Sequence, residues 1–100
     1  MTSNVSIYDF KNWFANSDTY KDNFSNEGLK ALFEYLEELE NSTGEKIEFD
    51  PIALCVEYTE YENFKDLQAN YSDIKSMEDL ENNTTVIKIE GSDRFIIQDF

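Results

Sequence analysis

The residue type this sequence offers in quantity is the carboxylate. Asp and Glu number 22 against 8 Lys and Arg, with no His, giving a net charge of −14 over 100 residues. Closely spaced acids can share general acid–base work, and Glu34 with Glu38, or Glu57 with Glu60, have the spacing for it. Glycoside hydrolysis needs such a pair across a deep sugar cleft, for which a chain this short leaves little room. A calcium loop needs alternating Asp/Asn ligands, a central Gly and a Glu at the twelfth position, and no segment has that pattern. Cys55 is the lone thiol, so no internal disulfide forms. Without any His it lacks the usual base for a nucleophilic thiolate and reads as a buried structural residue, free Cys behaving as a small hydrophobe. The missing His also removes the common triads and most transition-metal sites. Gly28, Gly44 and Gly91 stand isolated, so there is no phosphate-cradling loop. No catalytic residue, cofactor or metal site emerges, and the chain reads as a binding protein rather than an enzyme.

The charge balance then selects the partner. Phosphates would be repelled, which excludes ordinary nucleic-acid binding and disfavours an anionic membrane surface. The complementary partner is basic: a polyamine, a metal ion or a protein with a positive groove. Acidity also serves solubility, and that plainer explanation stands beside the functional one. Nothing resembles a signal peptide, and no run approaches the ~20 apolar residues that span a bilayer, so the chain reads as cytoplasmic.

These acids need a scaffold. Eight Phe, six Tyr and one Trp bury enough area for a modest core, and the length suits one domain over residues 1–100. Residues 1–5 form a short polar lead. From Ser6 to about Ala15, Ile7, Phe10, Trp13 and Phe14 fall on one helical face. After a polar loop over Asn16–Asn23, Ser25 caps a long helix that runs to about Ser42, with Gly44 as its stop. Its apolar stripe is Leu29, Leu32, Phe33, Leu36 and Leu39. Asp50-Pro51 reads as punctuation, and the unbroken apolar run Ile52–Val56 reads as a strand covered on both faces. A helix from Thr59 or Glu60 is expected to carry Tyr61, Phe64, Leu67 and Tyr71, followed by a short helical turn capped by Ser76. Thr85–Glu90 and Arg94–Asp99 read as a hairpin. A two-residue turn would set Ile89 beside Arg94 and Glu90 beside Asp93. A three-residue loop sets Glu90 opposite Arg94 and is expected, because it segregates apolar from polar side chains and pairs opposite charges. The sum is an α+β domain, a small antiparallel three-stranded sheet with helices packed on it, in the order α-α-β-α-α-β-β.

On that scaffold the acids are spread, not gathered in a tail. Successive blocks of twenty residues hold two, six, five, five and four. On the long helix, Glu27, Glu34 and Glu38 point away from the apolar stripe. Glu34 and Glu38 lie ~6 Å apart along the axis, with Glu27 ~10 Å further back. Glu37 and Glu45 extend the field, and Glu57, Glu60 and Glu62 form a second cluster interleaved with Tyr58 and Tyr61. Carboxylates repeated on a rigid support can imitate a phosphate backbone and occupy a Lys- and Arg-lined groove, with the tyrosines as anchors. A merely solvated helix face is the alternative for Glu27, Glu34 and Glu38.

The strings NFSNEGLKALFEYLEELENSTGEKIEFDPIALCVEYTEYENF and TTVIKIEGSDRFIIQDF resemble small acidic accessory proteins of phages and mobile elements, mainly of Gram-positive bacteria. The resemblance covers roughly residues 23–100. It implies an anti-defence setting, in which proteins of this kind inhibit CRISPR nucleases, restriction enzymes or uracil-DNA glycosylase. The expected partner is therefore a basic host protein such as a Cas effector or a restriction enzyme, bound by DNA mimicry without direct nucleic-acid contact. A homodimeric accessory or regulatory module, acidic only for solubility, is the alternative.

Overall fold

A computed structural model describes residues 5–100, so most of the polar lead at residues 1–5 lies outside the described residues. The chain is α+β, with helices packed on a three-stranded antiparallel sheet. The first two helices fall where their caps place them. Helix α1 (Ile7–Ala15) begins at Ser6, whose hydroxyl accepts from the Asp9 N–H, while the Asp9 carboxylate accepts from the Ser6 N–H. Helix α2 (Asn26–Thr43) is capped by Ser25 and closed by Gly44 at φ 73°, a left-handed conformation that suits glycine. Of its stripe, Leu29, Leu32 and Leu36 are buried, whereas Phe33 and Leu39 are half-buried.

The next segment corrects the sequence reading. Residues Ile52–Val56 do not form a strand but lie within helix α3 (Pro51–Glu57). Asp50 is its N-cap, accepting from the Ala53 N–H, and Pro51 occupies the first turn, where a missing N–H costs nothing. The dipeptide read as punctuation is thus a helix start. The helix buries Leu54 and leaves Ile52 and Val56, one turn apart, 50% and 72% exposed. The strand of this region is β1 (Tyr58–Tyr61), which overlaps the start of the stretch expected to be helical from Thr59 or Glu60. Helix α4 (Phe64–Asn70) starts only where the Asn63 side chain caps it, so Tyr61 belongs to β1. Helix α5 (Met77–Asn83) begins at Ser76 as expected.

Strands β2 (Val86–Lys88) and β3 (Phe95–Gln98) make the hairpin, and β1 adds on the far side of β3, giving the order β1-β3-β2. The expected register is overturned. Val86 faces Ile97, Ile87 faces Ile96 and Lys88 faces Phe95. Ile89 therefore pairs with Arg94, its N–H donating to the Arg94 carbonyl at 3.2 Å, and Glu90 falls across from Asp93. The argument from side-chain faces failed because β3 is central. Phe95, Ile96 and Ile97 are all buried, so neither face is a polar one that could select a register. Ile96 packs with α1, α2 and α3 in the larger core around Phe10, Phe14 and Leu32. Phe95 and Ile97 pack with Leu67, Ile74 and Leu80 on the other side. The sheet is the middle layer between two groups of helices. No described helix is long and apolar enough to cross a membrane.

The helical assignment of α3 predicts an alternation that a doubly covered strand would not show. Leu54→Ala should cost about 2–4 kcal/mol, whereas Ile52→Ala and Val56→Ala should each cost about 0.5 kcal/mol or less. Urea unfolding of the three variants measures this.

Candidate functional site

The expected contact residues separate into four places. Glu27, Glu34 and Glu38 are exposed and share one face of α2. They line a groove of about 450 Å³ between α2 and strand β2, completed by Lys30, Ala31 and Tyr35 and by Ile87, Lys88, Ile89 and Glu90. Among the described residues no Lys or Arg forms an ion pair with Glu27, Glu34, Glu38 or Glu90. Lys88 is held instead by Glu81 at 3.2 Å. Glu37 and Glu45 line a separate depression at the C-terminal end of α2, beside Glu40 and Lys46. There the Glu40 carboxylate is buried and accepts from the Ile47 N–H at 2.6 Å, pinning the chain that leaves the helix. Glu57 is exposed at the end of α3. Glu62 is exposed beside Arg94, 3.6 Å from its guanidinium.

Two expected contact residues are not surface groups. Tyr58, proposed as an anchor, is 6% exposed and belongs to the main core, its ring edge-on to Tyr35. Burial, reinforced by Tyr35 and Glu57, pushes its hydroxyl pKa up to about 12. Glu60 has a side chain only 2% exposed. One carboxylate oxygen accepts from the Ser25 N–H at 2.9 Å, and the other accepts from Arg94 Nε at 2.6 Å. That hydrogen bond, with the charges of Glu60 and Glu62, raises the Arg94 pKa further above its already high value. Glu60 is thus committed to the fold, not to a partner. Tyr61 is half-buried against Phe95.

Sequence reasoning missed the Glu60–Arg94 pair and the place of Glu90. The usable signal for the first was that Arg94 is the sole arginine among seven lysines. Arginine suits a buried carboxylate better than lysine does, its planar donors being less strongly hydrated. Glu90 joins the groove through a hairpin register that side-chain patterning could not choose.

Cys55 is half-buried against the main core, less enclosed than expected. Burial pushes its thiol pKa up, with a hydrogen bond to Asn23 opposing, so at neutral pH it is held as the thiol. Among the described residues no three His, Cys, Asp or Glu side chains gather closely enough to hold a metal ion. With this geometry in view, comparison with protein-family models, curated proteins and solved structures finds no match to the chain.

Two outcomes test this description. In most helices Gly→Ala stabilises by ~1 kcal/mol. Here a methyl group on Gly28 would collide with Glu60 Oε1, so Gly28→Ala should instead destabilise by about 2 kcal/mol, read by urea unfolding. The second concerns alkaline pH. A hydroxyl whose pKa is raised on folding stabilises the native state fully below the unfolded value, ~10. That contribution is lost as pH rises through the folded value of about 12. The unfolding midpoint should therefore fall more steeply between these pH values for the native chain than for Tyr58→Phe.

Proposed function

We propose that the chain is a phage- or mobile-element-encoded inhibitor of a bacterial defence nuclease, a CRISPR effector first and a restriction enzyme second. It acts without catalysis, as a DNA mimic that fills a basic nucleic-acid groove. The observation that carries this reading is the row Glu27, Glu34 and Glu38, exposed along one face of a helix, with Glu90 across the groove. Helical geometry repeats Glu34 and Glu38 ~6 Å apart along the axis, a regular row of negative charge such as a phosphate backbone presents. The support lies in α2 being fixed at both ends, by Ser25 and Glu60 at one and by Glu40 at the other. Carboxylates held in this way need little reordering on binding. The resemblance to small acidic phage proteins supplies the biological setting.

A second reading is favoured by one observation. Ile52 and Val56 present exposed apolar surface one turn apart on α3, as a self-associating accessory module would require. Sedimentation of the native chain and of Val56→Lys distinguishes the two, since the module dissociates on this change and the mimic is indifferent to it.

For the mimic, capture from a host lysate yields a nuclease whose affinity for the chain falls about tenfold or more between ~0.05 and ~0.5 M salt. Reversing Glu27, Glu34 and Glu38 to Lys lowers that affinity by about a hundredfold and leaves the unfolding midpoint nearly unchanged. An affinity indifferent to both salt and charge reversal contradicts the proposal.

A further inference from the structure

The groove beside α2 has a second wall that charge alone does not explain. Ile87, Lys88, Ile89 and Glu90 all line it. Consecutive residues of a strand point to opposite faces, so Ile87 and Lys88 of β2 can both line one groove only where the strand presents its edge, and Ile89 and Glu90 continue that wall into the turn. Strand β2 is such an edge, lying outermost in the order β1-β3-β2. The Ile89 N–H donates to the Arg94 carbonyl and the Gln98 N–H donates to the Thr85 carbonyl. In an antiparallel pair these bonds alternate along the strand, so Thr85, Ile87 and Ile89 spend their backbone groups on β3. The N–H and C=O of Val86 and Lys88 then face outward from the sheet, at the edge where Lys88 borders the groove, and among the described residues no fourth strand takes them up.

We propose that this edge accepts an extended segment of the partner as a fourth strand, and that the segment carries Lys or Arg at alternate positions. The inference rests on the mimic reading and specifies how the basic partner engages this groove. Main-chain hydrogen bonds to Val86 and Lys88 supply affinity, and side chains at every second position supply recognition. Same-face side chains of a strand repeat every ~6.6 Å, and Glu34 and Glu38 repeat at ~6 Å on the facing helix. Alternate cations of the segment therefore meet successive carboxylates of α2. Two features oppose a second copy as occupant. Edge-to-edge pairing of two β2 strands would bring two sets of Glu34, Glu38 and Glu90 together, and Lys88 on the edge is a residue type that discourages self-pairing.

The test uses the full chain and a ten-residue peptide alternating Lys and Val, with a peptide of equal charge built from Lys, Gly and Ser as the non-strand control. Amide hydrogen exchange is followed by NMR. The expected result is that the Lys–Val peptide slows exchange at Val86 and Lys88 by about tenfold or more, and that the control peptide, with its low strand propensity, does not. Neutralising the facing acids by Glu34→Gln with Glu38→Gln weakens the Lys–Val peptide by about tenfold. Three results overturn the inference. In one, the peptide shifts the signals of Glu34 and Glu38 while amides 86 and 88 exchange at the free rate, which removes the strand and leaves charge mimicry intact. In another, binding survives neutralisation of the acids, which removes the basic occupant. In the third, amides 86 and 88 are already protected in the free chain in proportion to its concentration, which assigns the edge to a second copy. Failure of the mimic reading itself registers elsewhere, as nuclease inhibition that persists after charge reversal of α2.

Discussion

The Glu60 carboxylate joins three parts of the fold that are distant in sequence. It lies on β1, takes a hydrogen bond from Arg94 next to β3, and accepts the backbone N–H of Ser25 at the start of α2. Desolvating an ion pair is costly, and attraction offsets that cost only when geometry and further hydrogen bonds are good. Here both oxygens are satisfied, and Arg94 keeps part of its side chain in water, 37% exposed. Gly28 supplies the space, because any side chain there would meet the carboxylate. The consequence reaches the surface. Anchoring the N-terminus of α2 to the sheet sets where its acidic face stands relative to the edge of β2, and so forms the groove.

The same interaction divides the acids into two kinds. Glu60 and Glu40 are enclosed and hydrogen-bonded to backbone N–H groups at the two ends of α2. The carboxylates of Glu27, Glu34, Glu38 and Glu90 remain in water, where high dielectric and salt keep mutual repulsion small. Gathering them on one groove still costs some stability through like-charge repulsion. A cationic partner would relieve that repulsion, which gives binding an electrostatic driving force that solubility alone would not need. The aromatic core carries the opposing stabilisation. Phe10 contacts Phe14, Phe33 and Phe49 with ring centroids 5.4–5.5 Å apart, and such tilted and edge-on arrangements add to simple area burial.

Legibility in the sequence followed the range of the signal. Ser6, Ser25, Gly44 and Ser76 act within one turn of their own helices, and the elements they bound fall where local chemistry put them. The α+β class and the C-terminal hairpin were likewise readable, but the third strand is Tyr58–Tyr61 and not the Ile52–Val56 run expected to supply it. The run Ile52–Val56 misled because an unbroken apolar stretch is equally compatible with a short helix. Here the cap at Asp50 and the proline after it outweighed the β-branched composition. The Glu60–Arg94 pair joins residues 34 apart in the chain, beyond any local pattern, and the hairpin register escaped side-chain patterning because Phe95, Ile96 and Ile97 are all buried. The acidic face of α2 was legible from helical spacing, but its neighbour Glu90 was not, because it arrives through that register. Tyr58 looked like an anchor in sequence and is core in structure, since its place on β1 directs it towards Tyr35 and α2.

The central claim is that α2 and the β2 edge occupy a site that nucleic acid would otherwise fill. Competition on the captured nuclease measures this most directly: the apparent affinity of the chain is determined at rising concentrations of the enzyme's own DNA or RNA. Mutual exclusion predicts an apparent dissociation constant that rises in proportion to nucleic-acid concentration, with no ternary complex. An affinity unchanged by saturating nucleic acid, or a stable ternary complex, would contradict it.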